Sequence, residues 1–411
     1  MAGGAAAAAA AVAWPAGRWL SRGRAGDARG PGLRADPEGV LDLHEGFSYA
    51  ILQRAGARMD DGRRVPPRPD GMACFEGDDG AWILMRNHEL PAGLRARLFG
   101  AAPSEAYDPA GAGAVTRLVV DPATLDVRRS NLVLAGTSTN CSGGASPWGW
   151  ISCEEDPRGA HGYAFLCDPA ADGVRAPVRI DGYGRFRHEA AAVRPEDAVC
   201  YLTEDRPDGC FYRFVPHDPS APFDGRLQAM AVVGRDGCDT SPWAAGARRE
   251  IRWIDLDDPT PRDDDLRHTA RRAGAALVKR GEGVCFADGA TYLTATTGGP
   301  VGGGQIFRLE DGADGGELEV VAASTDRRVM DMPDNVAVRP GGGLFFVEDG
   351  EGHDFLRGVR ADGEVFDLAR NAASEGELTG ICFSPDGRTL LVNLQEDGLT
   401  LAIRGPFEAL A

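Results

Sequence analysis

The segment NCSGGASPWGWISCEED, residues 140–156, sets a thiol, Cys141, 13 and 14 residues ahead of two adjacent carboxylates, Glu154 and Glu155. Carboxylate oxygen suits hard cations such as calcium or ferric iron, whereas a thiolate suits a redox-capable transition metal. Gly143 and Gly144 let the backbone here approach a neighbour closely. Such a mixture points to a mixed-metal centre, provided that the fold brings thiol and carboxylates together.

The spacing recurs along the chain. Glu189 precedes Glu204 by 15 residues in HEAAAVRPEDAVCYLTED, and Glu282 precedes Thr296 by 14 in EGVCFADGATYLTATTGG. Asn335 precedes Glu348 by 13 in DNVAVRPGGGLFFVEDG, and Thr379 precedes Asn393 by 14 in TGICFSPDGRTLLVNLQ. Each unit opens on a polar or small residue, runs through an apolar strand, a turn of Pro, Asp or Gly and a second apolar strand, and closes on a polar residue. GMACFEGDDGAWILMRNHE has the same shape and closes on Arg86, Asn87 and Glu89. Two antiparallel strands begin and finish at the same end of a hairpin, so each unit delivers two polar side chains to one rim.

Six such units, with outer strands such as AVTRLVVD, GYAFLCD, CFYRFVP and GQIFRLE between them, predict an all-β, six-bladed β-propeller with inter-blade insertions. A tandem pair of β-sandwiches is the alternative. Residues 38–411 form one catalytic domain on this reading, and an insertion containing WIDLDDPTPRDDD lies between Val215 and Arg280. A propeller would gather Cys141, Glu189, Glu282 and Asn335 at the mouth of a central channel, backed by Glu154, Glu155, Glu204 and Glu348. So many carboxylates cannot all ionise side by side without a counter-charge, and bound metal supplies one. Acidic residues at strand ends are commonly just solvated turns; the register shared by the units favours metal here. Arg280, two residues before Glu282, is placed to grip a phosphate with its planar fork.

Composition narrows the partners. The chain has 411 residues, 43% of them hydrophobic, and a net charge of −18. That acidity argues against nucleic acid and anionic lipid and in favour of bound hard cations, with plain solubility as the bland reading. Nine cysteines occur without a CxxC pair, which argues against structural zinc, and their odd number leaves at least one unpaired within the chain. The opening MAGGAAAAAAAVAWPAGRW is too short and too weakly apolar for a membrane span. It has the Ala/Gly-rich character of a twin-arginine export signal that lacks its arginines. Residues 1–37 are expected to be disordered.

RNHE, NCSGG with PWG, CEE, GRFRHEA, YLTED, YRFVP, RGEG, TATTGG, DMPDN, LFFVEDG and CFSPDGRTLLVNLQ together resemble the PhoX-type alkaline phosphatases, from about Phe47 to the C-terminus. The resemblance implies a six-bladed propeller, twin-arginine export to the periplasm or beyond, and phosphomonoester hydrolysis. It also implies a cofactor of two ferric ions with several calcium ions around a bridging oxide. Carried onto this chain, it makes Cys141 the iron-binding cysteine, Glu189 and Glu282 carboxylate ligands, and Arg280 the residue that holds substrate phosphate. Glu89, Glu154, Glu155, Asn335 and Glu348 extend the expected ligand set. The chain departs from the family where Trp150 directly follows Gly149, which leaves Glu154 and Glu155 as alternatives, and it is shorter than the best-known members. A monomer acting on a small phosphomonoester is expected. A calcium-dependent lactonase-like propeller hydrolase and a non-catalytic, metal-stabilised binding propeller are the alternatives; Cys141 argues against the first.

Overall fold

A computed structural model describes residues 30, 32–92, 94 and 102–410. The Ala-rich opening therefore lies outside the described residues. Within the segment expected to be disordered, Leu33–Arg34 forms a short strand paired with Leu41–His44, so ordered structure starts before residue 38. Among the described residues, no helix is long and apolar enough to cross a membrane.

The fold is all-β and propeller-like. Each sequence unit folds as the hairpin its turn chemistry predicts, and the first strand of each lies innermost. These strands are Pro69–Glu76, Asn140–Ser146, His188–Val193, Gly281–Ala287, Pro333–Val338 and Leu378–Phe383. They adjoin in chain order, and the last packs against the first. The segments read as outer strands are strands, Gly113–Val120, Ala164–Cys167, Phe211–Pro216 and Gln305–Asp311, and Phe355–Val359 and Val365–Asn371 take the corresponding outer places in their sheet.

Six separate sheets do not result. Hydrogen bonding gives three sheets of four strands, one of six and one of nine. The nine-stranded sheet arises because Arg248–Ile251 pairs with Gly316–Glu319, joining the sheet that starts at His188 to the one that starts at Gly281. Its two end strands, His188–Val193 and Gly281–Ala287, adjoin each other, so the sheet curls almost closed. The six-stranded sheet recruits Leu41–His44 onto Val365–Asn371. The last sheet recruits Ser48–Arg54 onto Leu399–Arg404, so the start of the folded chain seals its end.

Apolar faces of neighbouring sheets make the core. Ile151, Ala191, Leu202, Tyr212 and Phe214 pack together between two of them, and Phe345, Leu368, Leu390, Leu401 and Phe407 between two others. All nine cysteines are free thiols, and Cys153, Cys167, Cys200 and Cys210 are buried as small apolar side chains. Among the described residues the one α-helix, Leu266–Arg272, belongs to the insertion predicted between Val215 and Arg280.

The inner strands approach one another too closely for ordinary side chains at certain points. A Cβ at Gly144 would collide with the carbonyl oxygen of Ala191, and one at Gly283 would sit 2.7 Å from the Cα of Asn335. Both partners are main-chain atoms of the next inner strand, so neither can swing aside. Gly144→Ala is therefore expected to destabilise the fold by about 1–3 kcal/mol. Denaturant unfolding of the two proteins measures this, and an unchanged midpoint would contradict the close approach.

Candidate functional site

One irregularity, repeated in every inner hairpin, builds the site. Pairing runs in register up to Pro69–His88, Asn140–Glu154, His188–Glu204, Gly281–Ala295, Pro333–Glu348 and Thr379–Asn393, and then slips by one residue. A β-bulge re-aims the side chains it carries. The first bulged residue is Asp70, Cys141, Glu189, Glu282, Asp334 or Gly380 in turn. The first five line one cavity of about 120 Å³ at the channel mouth. Carboxylates just past the second strands join them: Glu89, Glu155, Asp205 and Asp349, with Glu377 from the sixth unit.

Ligand atoms of Glu189, Glu282 and Asp334 lie within 4.8 Å of one another, and all three residues are buried. At an effective dielectric near 20, each such pair repels by at least about 3 kcal/mol. Three pairs together approach the whole stability of a typical domain. Accordingly, burial and then neighbouring charge push all three carboxyls well above the usual range: Glu282 acts on Glu189 and on Asp334, and Asp205 on Glu282. Burial also pushes Asp349 up to about 7, against the pull of Arg280. The Cys141 thiol is raised by burial and by Glu189, and its Sγ lies 3.1 Å from the carbonyl oxygen of His188. A cluster of oxygen donors that repel one another, with one sulfur beside them, fits a multivalent cation: the cation reverses every one of these shifts.

Two arginines enter this acidic ring. Arg280 donates from Nε to Asp205 at 2.8 Å and from Nη2 to Glu282 at 2.6 Å. Burial opposes its charge, but Glu282 and Asp205 outweigh burial and raise its pKa. Arg68 grips Glu89 through Nε at 3.1 Å and Nη2 at 2.5 Å, and reaches Glu396 through Nη1 at 3.1 Å. Each directly precedes an inner strand and has left-handed backbone, φ +49° for Arg280 and +50° for Arg68. Thr139 and Met332 hold the equivalent positions with φ +52° and +53°. Such backbone is strained for residues other than glycine, and strain of this kind clusters at functional sites. At Arg280 it is fixed by main-chain bonds to Arg206 and Thr296.

The structure brings together Cys141, Glu189, Glu282, Glu89, Glu155 and Arg280 from the set expected from sequence. Four others lie elsewhere. Glu204 is the in-register partner of His188 and accepts from Cys210 N at 3.2 Å and from the Tyr212 hydroxyl at 2.8 Å. Glu154 is the in-register partner of Asn140, so it faces away from Glu155; its carboxylate accepts from Ser138 N, from Gly162 N and, at 2.7 Å, contacts Nδ1 of His161. Glu348 is likewise an in-register residue and holds Asp331 N at 2.7 Å and Arg357 Nε at 2.9 Å. The amide of Asn335 is spent on Gly380 N and on Asp334. In each case the adjacent residue, Asp205, Glu155, Asp349 or Asp334, occupies the cavity. Sequence reasoning missed Asp70, Asp205, Asp334, Asp349, Glu377 and Arg68; the one-residue slip common to the hairpins is the signal that locates the first four.

The family model for alkaline phosphatase PhoX matches residues 29–124 and 110–398. This chain belongs to the PhoX family. It is thus a phosphoric monoester hydrolase of a metal-dependent, exported family. Its fold is similar to that of Pseudomonas fluorescens PhoX in complex with vanadate, a transition state analogue, with 19% identity and a TM-score of 0.68 over 89% of this chain and 96% of that one. A gluconolactonase from Xanthomonas campestris aligns with 14% identity and a TM-score of 0.46 over 88% of this chain and 95% of that one. No curated protein matches the sequence.

The raised carboxyls give this chain a signed pH dependence. Groups with higher pKa values folded than unfolded bind more protons in the native state, so stability falls as pH rises. Without metal, the denaturation midpoint should drop steadily from about pH 4, where unfolded carboxyls titrate, through about 7, the value for Asp349. A saturating multivalent cation should flatten the curve. Thermal melts of chelator-treated and reloaded protein test this; a metal-free protein whose stability rises over that range would contradict the assignment.

Proposed function

We propose that the cavity holds an iron–calcium cluster and that Arg280 binds the phosphate of a phosphomonoester against it. The observation that carries this reading is the buried triad Glu189, Glu282 and Asp334 beside Cys141. Cys141, Glu189 and Glu282 would hold the iron; Asp70, Glu89, Glu155, Asp334 and Asp349 offer oxygen for calcium. When bound, these ions would offset charge building on phosphate oxygens during hydrolysis. Glu154, Asn335 and Glu348 are not part of this ligand set, because their side chains are committed elsewhere.

The chain's own contribution is orientation. Asp205 fixes the Arg280 guanidinium through Nε and Nη2, at 2.8 and 3.2 Å, leaving Nη1 for a phosphate oxygen. Once a cation shares the charge of Glu282, Nη2 can turn from Glu282 to the substrate as well. A planar fork held this way presents two donors to equatorial phosphate oxygens. The strained backbone of Arg280 sets its entry direction. The nine-stranded sheet is read as two blades merged along their outer edges, which would make the ring six-bladed. Export is inferred from the family.

Arg280→Ala should lower kcat/KM for p-nitrophenyl phosphate about 100- to 1,000-fold, with metal content unchanged. Cys141→Ala should lose iron and activity together. Elemental analysis, the visible absorption spectrum and steady-state kinetics of both variants decide; normal turnover by Cys141→Ala would overturn the assignment.

A further inference from the structure

A second, larger cleft of about 670 Å³ opens beside the carboxylate cavity and shares Glu155 with it. Its volume is that of an ordinary small-molecule site. Five arginines line it: Arg158, Arg185, Arg187, Arg206 and Arg262. Glu155, Asp156, Asp263 and Asp264 line it too, so the cleft carries one positive charge in excess, beside the catalytic cavity of a chain of net charge −18.

The arginines divide by task. Arg185 is buried and structural: it donates to carbonyl oxygens of His161, Pro261 and Arg262, and its own N–H donates to Pro259 O. It thereby bolts the insertion singled out in the sequence to the loop after Glu155, and the two segments form opposite walls. Arg187 lies where the cavities meet, paired with Glu155 and 4.0 Å from Asp205. Arg206 is paired with Asp264 from the insertion. Yet Nε of Arg187 and Nε of Arg206 are buried without a hydrogen-bond partner. Buried N–H groups are normally satisfied, and leaving one unpaired costs about 1–3 kcal/mol. Arg158 and Arg262 stand exposed at the rim, with Arg158 held by Asp156 through Nε at 2.7 Å and Nη2 at 2.9 Å. Arginine guanidiniums lining a cleft with one positive charge in excess suit an anionic ligand of phosphate type.

We infer that this cleft is the leaving-group subsite and that it selects phosphomonoesters whose alcohol carries a second phosphate. The inference rests on the phosphatase reading of the adjoining cavity. With the scissile phosphate at Arg280, the leaving group extends past Glu155 and Arg187, and its own phosphate meets Arg206, Arg158 and Arg262. The insertion that supplies Arg262 and Asp264 is then part of the specificity apparatus.

The test compares fructose 1,6-bisphosphate, fructose 1-phosphate and p-nitrophenyl phosphate on the metal-loaded enzyme and on an Arg158→Ala/Arg262→Ala variant. The bisphosphate should show kcat/KM at least about tenfold above fructose 1-phosphate. The variant should erase most of that advantage while p-nitrophenyl phosphate changes less than about twofold. Equal values for the two sugar phosphates, or a preference that survives in the variant, would overturn the subsite. If none of the three is hydrolysed, the phosphatase reading fails instead. Calorimetric titration of the same protein with the two sugar phosphates then decides the cleft: about tenfold tighter binding of the bisphosphate, lost in the variant, supports it, and equal affinity refutes it.

Discussion

Mutual repulsion among buried carboxylates governs this molecule. Nine carboxylates, four of them buried and five half-buried, line a cavity of about 120 Å³ with two guanidiniums for company. Folding alone has no reason to assemble such a group, because burial and like charge both oppose it. The hydrophobic contacts between sheets must carry that opposing energy until cations arrive. Metal binding and folding are for this reason two parts of one balance.

The ring of inner strands is what holds the carboxylates against their repulsion. A bulge at the same level of each hairpin turns one side chain toward the axis, and backbone contacts such as Gly144 against Ala191 lock neighbouring strands at that level. The left-handed residues before four of the strands complete the device by fixing where the chain enters. Rigidity here is a property of backbone geometry rather than of any one side chain, which suits a site whose donors must keep their places whether or not they are charged.

Much of this was legible in the sequence. The turns in RPED, ADG, RPGGG and SPDG predicted the hairpins, and the shared spacing predicted their convergence. Cys141, Glu189 and Glu282 met as expected. What spacing cannot carry is a bulge. Counting from Glu189 to Glu204 assumes uninterrupted pairing, but the true partner of Glu204 is His188. A slip of one residue reverses the face presented, so Glu154 and Glu348 went to the sheet interior while Glu155 and Asp349 took the cavity. The separate six sheets failed for another reason: main-chain pairing between Arg248–Ile251 and Gly316–Glu319 joins exposed edges, and edge pairing leaves little trace in side-chain pattern.

The strand Ser48–Arg54, which seals the last sheet against Leu399–Arg404, has a consequence for biosynthesis. Its partner follows about 350 residues later in the chain. At roughly 5–20 residues per second, the early segment waits on the order of half a minute with an open edge. Until then the circle cannot shut, so nascent chains truncated by even their last strand should be prey to proteases and aggregation, and newly made protein should depend on chaperones in proportion to that delay.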